Sequence, residues 1–132
     1  MSTSAQYAST PKTGIASVST ANTARNGTGT IATIFTAGSS GSRIERVVVV
    51  AQSTTTAGMI RLFIHDGTTA WLYEEIPVAA ATPSGTVPAF FASIQAFTNP
   101  DLMPLTLPTG YSLRAATNNA ETFNVIAVGG DF

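Results

Sequence analysis

The chain has 132 residues, of which 10% are charged and 44% hydrophobic, and its six basic and seven acidic side chains leave a net charge of -1. That length suits one domain rather than two, and the absence of a strong field excludes long-range attraction to phosphate backbones or anionic bilayers, so neither nucleic acid nor membrane is an expected partner. With no cysteine, a disulfide framework and a thiolate metal site are both excluded.

Residues 1–14, MSTSAQYASTPKTG, are polar and interrupted by Pro11 and Gly14, which predicts an extended N-terminal arm with Tyr7 as its only large side chain. The arm lacks the basic head and apolar run of a signal peptide, and nowhere does an apolar stretch of about 18 residues occur. From Ile15 onward the chain divides into short segments rich in Val, Ile, Thr and Phe, separated by Gly, Pro, Asn and Ser at intervals of roughly 8 to 15 residues, the rhythm of an all-β domain over 15–132. The expected strands are ASVST near 16, GTIATIFT near 29, SRIERVVVVAQS near 42, GMIRLFIH near 58, AWLYEEIPV near 70, TVPAFFASIQ near 86, GYSLRAAT near 110 and ETFNVIAVGG near 121, with LMPLTL near 102 as a short ninth.

Alternation places Ile31, Thr33 and Phe35 on one face, Ile60, Leu62 and Ile64 on another, and Phe123, Val125 and Ala127 on a third. Val47 to Val50 is apolar on both faces, so this strand lies either centrally in a two-layer core or beneath a second subunit. Prolines 77, 83, 88, 100, 104 and 108 rule out long helices in the second half and mark edges or corners; NPDLM at 99–103 is at most a single turn. The pattern predicts an antiparallel β-sandwich of eight or nine strands, of jelly-roll type, with a small barrel as the alternative.

Candidate chemistry gathers in RLFIHDGTTAWLYEEI, residues 61–76, which holds the only histidine. Asp-Gly between apolar runs signals a hairpin, because Gly tolerates positive φ and Asp bonds the local backbone. A loop of Asp66 to Thr69 sets Arg61 opposite Glu74; a loop one residue shorter sets it opposite Tyr73 and Phe63 opposite Trp71. His65 and Asp66 then leave opposite faces and form no dyad, as do Glu74 and Glu75, and no G-x-S-x-G elbow supplies a nucleophile. No zinc or calcium ligand spacing occurs. The pieces RNGTGT (25–30) and GSSGSR (38–43) each precede a β-branched strand, not a helix, and read as turns rather than phosphate cradles. The Asn26-Gly27-Thr28 glycosylation match reads as a turn too. Trp71, Tyr73, Phe90 and Phe91 are weighed as a sugar-stacking platform, against the commoner use of strand aromatics in a core or interface. Gly129-Gly130 marks a bulge or a close backbone approach. No catalytic residue, cofactor or metal is expected; a cupin-like enzyme is disfavoured because its metal ligands are chiefly histidines.

The succession RLFIHDG, EEIPV, TPSGTVPAFF and MPLTLPTGYSLRAATNNAETFNVIAVGGDF resembles small structural proteins of tailed bacteriophages, most nearly the jelly-roll capsid decoration, or cement, proteins. The resemblance spans about Ile31 to Phe132, and LPTGYSLRA with the NVIAVGGDF ending is its most specific part. It implies a protein made in the host cytoplasm that sits on the virion capsid surface, with the major capsid protein and its own copies, as dimer or trimer, for partners. Tyr7, Trp71, Tyr73 and Phe132 are the candidate interface residues. The alternative is a tail or fibre component that binds a host glycan through Trp71 and Tyr73.

Overall fold

A computed structural model describes residues 8–95 and 97–132. Among them nine strands form: β1 (Thr10–Val18), β2 (Ala32–Thr36), β3 (Ser42–Ala51), β4 (Gly58–His65), β5 (Ala70–Val78), β6 (Phe91–Gln95), β7 (Leu105–Leu107), β8 (Ser112–Thr117) and β9 (Phe123–Asp131). They make two antiparallel sheets, β1-β9-β3-β6 with β7 also on β3, and β2-β8-β4-β5, which stack as a β-sandwich. The pairs nest: β4 with β5 and β3 with β6 lie within β2 with β8 and β1 with β9, so the chain doubles back on itself as one long antiparallel ribbon.

The inner faces carry the alternating apolar residues. Val47 and Val49 of β3, Ile60 and Leu62 of β4, Leu113 and Ala115 of β8, and Phe123, Val125 and Ala127 of β9 are buried in one cluster. Phe90 meets Phe123 edge to face at 6.4 Å within it, a favourable aromatic geometry. NPDLM makes a turn in which the amides of Leu102 and Met103 both donate to the Asn99 carbonyl.

Three details depart from the sequence expectations. First, the arm boundary at 14 falls inside β1, which pairs with β9 from Thr10 onward. Gly14 is not a breaker: a Cβ there would lie 2.1 Å from the Ile34 carbonyl oxygen, so glycine is what lets β1 cross β2 so closely. Pro11 is tolerated because β1 is an edge strand. Second, the β4–β5 loop is Asp66 to Thr69, but a bulge between Leu62 and Phe63 shifts the register so that Arg61 faces Glu75, and neither Glu74 nor Tyr73. Third, a bulge in β2 puts Ile34 and Phe35 both into the core, where strict alternation would have left Ile34 outside. The expected bulge or close approach at Gly129 is present, a Cβ there lying 1.9 Å from the Arg43 carbonyl oxygen beside a register shift in β3.

The outer faces differ. On the β2-β8-β4-β5 sheet, Arg61, Phe63 and Ala116 point away from the core yet are buried. Their cover is segment 19–31. The Asn22 amide donates to the Thr117 carbonyl, and the Asn22 side chain closes the segment on itself through the Thr28 and Thr30 carbonyls. Gly27, at positive φ, comes so near Ala70 that a Cβ would lie 2.7 Å from its carbonyl oxygen. The RNGTGT and GSSGSR pieces are turns, with Gly27, Gly29 and Gly41 all at positive φ. On the other sheet Val48, Val50, Ile126 and Val128 are only half-buried, while Ile15 and Phe91 are 65% and 60% exposed.

Candidate functional site

The polar side chains with potential for chemistry fall into four groupings. At the β4–β5 turn, Asp66 accepts from the amides of Thr68 (2.9 Å) and Thr69 (2.7 Å) and from the Trp71 indole N–H (3.1 Å). Those bonds, the Thr69 amide foremost and then the indole and Thr68, hold its carboxyl down to about 2. The His65 Nδ1 accepts from the Gly67 amide at 3.0 Å. Histidine and aspartate therefore each serve the turn, and neither bonds the other.

Arg61 forms the second grouping. Its guanidinium, buried on the outward side of β4, donates to Glu75 (3.2 Å), to the Asn22 carbonyl and to the Asn118 side chain. Glu75 also accepts from Arg25 at 2.9 Å, and this pairing with Arg25, then Arg61, lowers its carboxyl. The network ties segment 19–31 to the sheet. The third grouping joins Lys12, Ser42 and Asp131 where β1, β3 and β9 meet. The Ser42 hydroxyl and the Lys12 ammonium donate to the Asp131 carboxylate, whose ionisation they lower, Ser42 first. The ammonium also donates to the Thr36 carbonyl and lies 4.8 Å from the Phe35 ring centre. Ser42 is fully buried, and its proton goes to a carboxylate already paired with lysine, so the trio braces the sandwich and leaves no approach for an electrophile.

The fourth is a small cleft of about 80 Å³ at the foot of segment 19–31, lined by serines and threonines that include Ser19, Thr20 and Thr30 together with Val18, Ala32 and Ala116. It suits two or three waters and falls well below the roughly 300–1,000 Å³ of ordinary ligand sites. Among the described residues no three His, Asp or Glu side chains gather as metal ligands, and no helix is long and apolar enough to cross a membrane.

Trp71, Tyr73, Phe90 and Phe91 do not share a platform. Trp71, 60% exposed, stands at the turn end of β5, whereas Tyr73 is the bulge residue, half-buried against the core with its hydroxyl donated to the Leu102 carbonyl. Phe90 belongs to the core, and Phe91 projects from the outer face of the other sheet. Phe132 is half-buried, its amide donating to the Gly41 carbonyl at 3.2 Å. Tyr7 lies outside the described residues. Sequence reasoning singled out Val47 to Val50 of β3 and missed that the apolar surface extends across β9 to β1. The signal lay in Val48 and Val50 together with Ile15 and Ile126, apolar at positions that alternation turns outward. No family model matches the chain, and the search of curated proteins returned no match.

Proposed function

We propose that the protein is a non-enzymatic structural component of a bacteriophage virion, a decoration protein that binds the outside of the major capsid shell. The observation that carries this reading is a pairing of surfaces and chemistry. Every described acid–base grouping is spent on bracing the fold, while large apolar side chains stand exposed at several points: Ile15, Trp71, Phe91 and Phe97. Such a surface favours contact by burial and backbone bonding, and repetition over many copies makes modest contacts sufficient. The nested strand pairs, in the orders β1-β9-β3-β6 and β2-β8-β4-β5, support a jelly-roll reading of the sandwich, in line with the resemblance of residues 31–132 to cement proteins.

The test is co-sedimentation with empty expanded shells of the cognate phage, followed by cryo-electron microscopy. Stoichiometric density at outer symmetry positions is the expected result; protein absent from shells and present in detached tails overturns the capsid assignment. A glycan-binding tail component is the second reading, favoured by Trp71, whose indole is exposed yet fixed by Asp66. A glycan array with wild type and Trp71→Ala separates the two, since a decoration protein binds no sugar in either form.

A further inference from the structure

We infer that the outer face of the β1-β9-β3-β6 sheet is a self-association surface, on which a second copy of this chain stacks face to face across a two-fold axis. The inference does not rest on a virion location. Registers align the face in three rows. The middle row is Ile15, Ile126, Val48 and Ser93; the row toward the start of β6 is Ser17, Asn124, Val50 and Phe91; the third is Thr13, Val128, Arg46 and Gln95. Six of these twelve side chains are apolar and one is charged.

The opposite sheet shows how this fold treats an apolar outer face. There segment 19–31 buries Phe63 and Ala116. Here no described segment of the chain does the same, and Ile15 and Phe91 stay 65% and 60% exposed.

Three arguments choose a second copy as the occupant. The first is chemical. A two-fold interface sets a patch against itself, so its polar groups must complement their own kind. The hydroxyls and amides of Thr13, Ser17, Ser93, Gln95 and Asn124 both donate and accept, which satisfies that condition; a face studded with one sign of charge would not. The second is size. The three rows cover four strands about 4.8 Å apart over five residues each, a footprint on the order of 300 Å², which side-chain relief and the ends of the longer strands, where Arg43 and Glu45 pair with each other, extend toward the roughly 800 Å² per partner of a stable interface. The third is electrostatic. A net charge of -1 offers no long-range repulsion between copies. The single charge also fixes the axis. An axis along the strands, between β9 and β3, sets Arg46 against the aliphatic Val128 of the second copy, whereas an axis across them, through the middle row, sets Arg46 against Val50 and Phe91 of the second copy, where the guanidinium lies over an aromatic ring. The antiparallel stack is the one selected.

Sedimentation-velocity and equilibrium ultracentrifugation of the full chain tests this. Wild type is expected to be a dimer at micromolar concentration. Val48→Lys, which alters no core residue, is expected to raise the dimer dissociation constant at least about tenfold, the equivalent of about 1.4 kcal/mol, while Leu72→Lys on β5 leaves it unchanged. Because the chain has no cysteine, Ile126→Cys supplies a second readout: close to the axis, it forms disulfide-linked dimers on mild oxidation, and Trp71→Cys does not. This holds even if the lysine variant folds poorly. A wild-type monomer throughout the range, a trimer, a dimer indifferent to Val48→Lys, or equal cross-linking at both cysteines overturns the inference. None of these measurements involves a shell, so their failure is separable from failure of the decoration reading.

Discussion

Asp66 shows how far one exposed carboxylate can be committed to backbone geometry. It accepts from two amides and an indole across a four-residue turn, which lowers its ionisation from an ordinary 3.8 to about 2. A carboxyl whose folded value is depressed contributes stability that is complete above its unfolded value and is lost as pH falls through the folded one. The contribution of Asp66 is therefore expected in full above about pH 4 and gone near pH 2. Melting temperatures of wild type and Asp66→Asn, followed from pH 5 to 2, should converge over that window; a constant gap would contradict the assignment. Gly14 is committed differently. A Cβ there meets the Ile34 carbonyl oxygen at 2.1 Å and the Phe35 Cα at 3.1 Å, backbone atoms that cannot swing aside. Gly14→Ala is expected to cost about 1–3 kcal/mol in urea denaturation, as overpacked sites do. Gly85→Ala, with nothing within 4 Å of the added carbon, should stay within about 0.5 kcal/mol.

Segment 19–31 is the element that most alters the sandwich, and its sequence conceals it. STANTARNGTGTI has no apolar period. It runs across the outer face of the sheet that holds Phe63, from Thr117 and Arg61 at Asn22 to Ala70 at Gly27, and is held by Asn22, Arg25 and the Arg61–Glu75 pair. The nine strands were legible because β-branched alternation and Gly, Pro and Asn punctuation are local signals. The irregularity between β3 and β9 was signalled by Gly129-Gly130, but the bulges at β2 and β5 were not legible, because a one-residue insertion depends on what the partner strand must bury. Hence Arg61 was matched to Glu74 or Tyr73 and not to Glu75, although Asp66 to Thr69 was one of the two loops the sequence allowed. The place of His65 at the strand end beside the turn was legible from the Asp-Gly signal, whereas the scattering of the four aromatics over two sheets followed from topology that periodicity does not report. Covering by segment 19–31 makes Phe63 a core residue in effect. Phe63→Ala is expected to cost about 3–5 kcal/mol, although Phe63 lies on the outward side of β4. Arg25→Ala should cost under about 1 kcal/mol, its side chain being 59% exposed in an ordinary surface pair. Denaturant midpoints that rank the two in the reverse order would show that the ion pairs, and not the covered ring, hold the segment down.

At the scale of the whole molecule, the nested pairing makes the two ends of the chain interdependent. β9 lies between β1 and β3, so the first strand is completed by the last, and Asp131 takes hydrogen bonds from Lys12 and Ser42 while its carbonyl accepts from the Ser9 amide. This separates two functions that the sequence joined in one arm of fourteen residues. Removing residues 1–14 deletes Thr10–Gly14 from β1, leaves Ala127 through Asp131 paired with β3 alone, and takes Lys12 from the face of Phe35. The expected loss is at least about 2 kcal/mol, seen as a melting temperature lower by about 8 °C or more at this domain size. Removing residues 1–7 leaves every described residue in place. If those residues reach a neighbouring subunit in the assembled shell, the shorter deletion keeps the wild-type melting temperature and lowers shell occupancy. Measuring both quantities on both deletions resolves the matter: undiminished occupancy after the shorter cut removes any anchoring role from Tyr7, and an unchanged melting temperature after the longer one contradicts the pairing of β1 with β9.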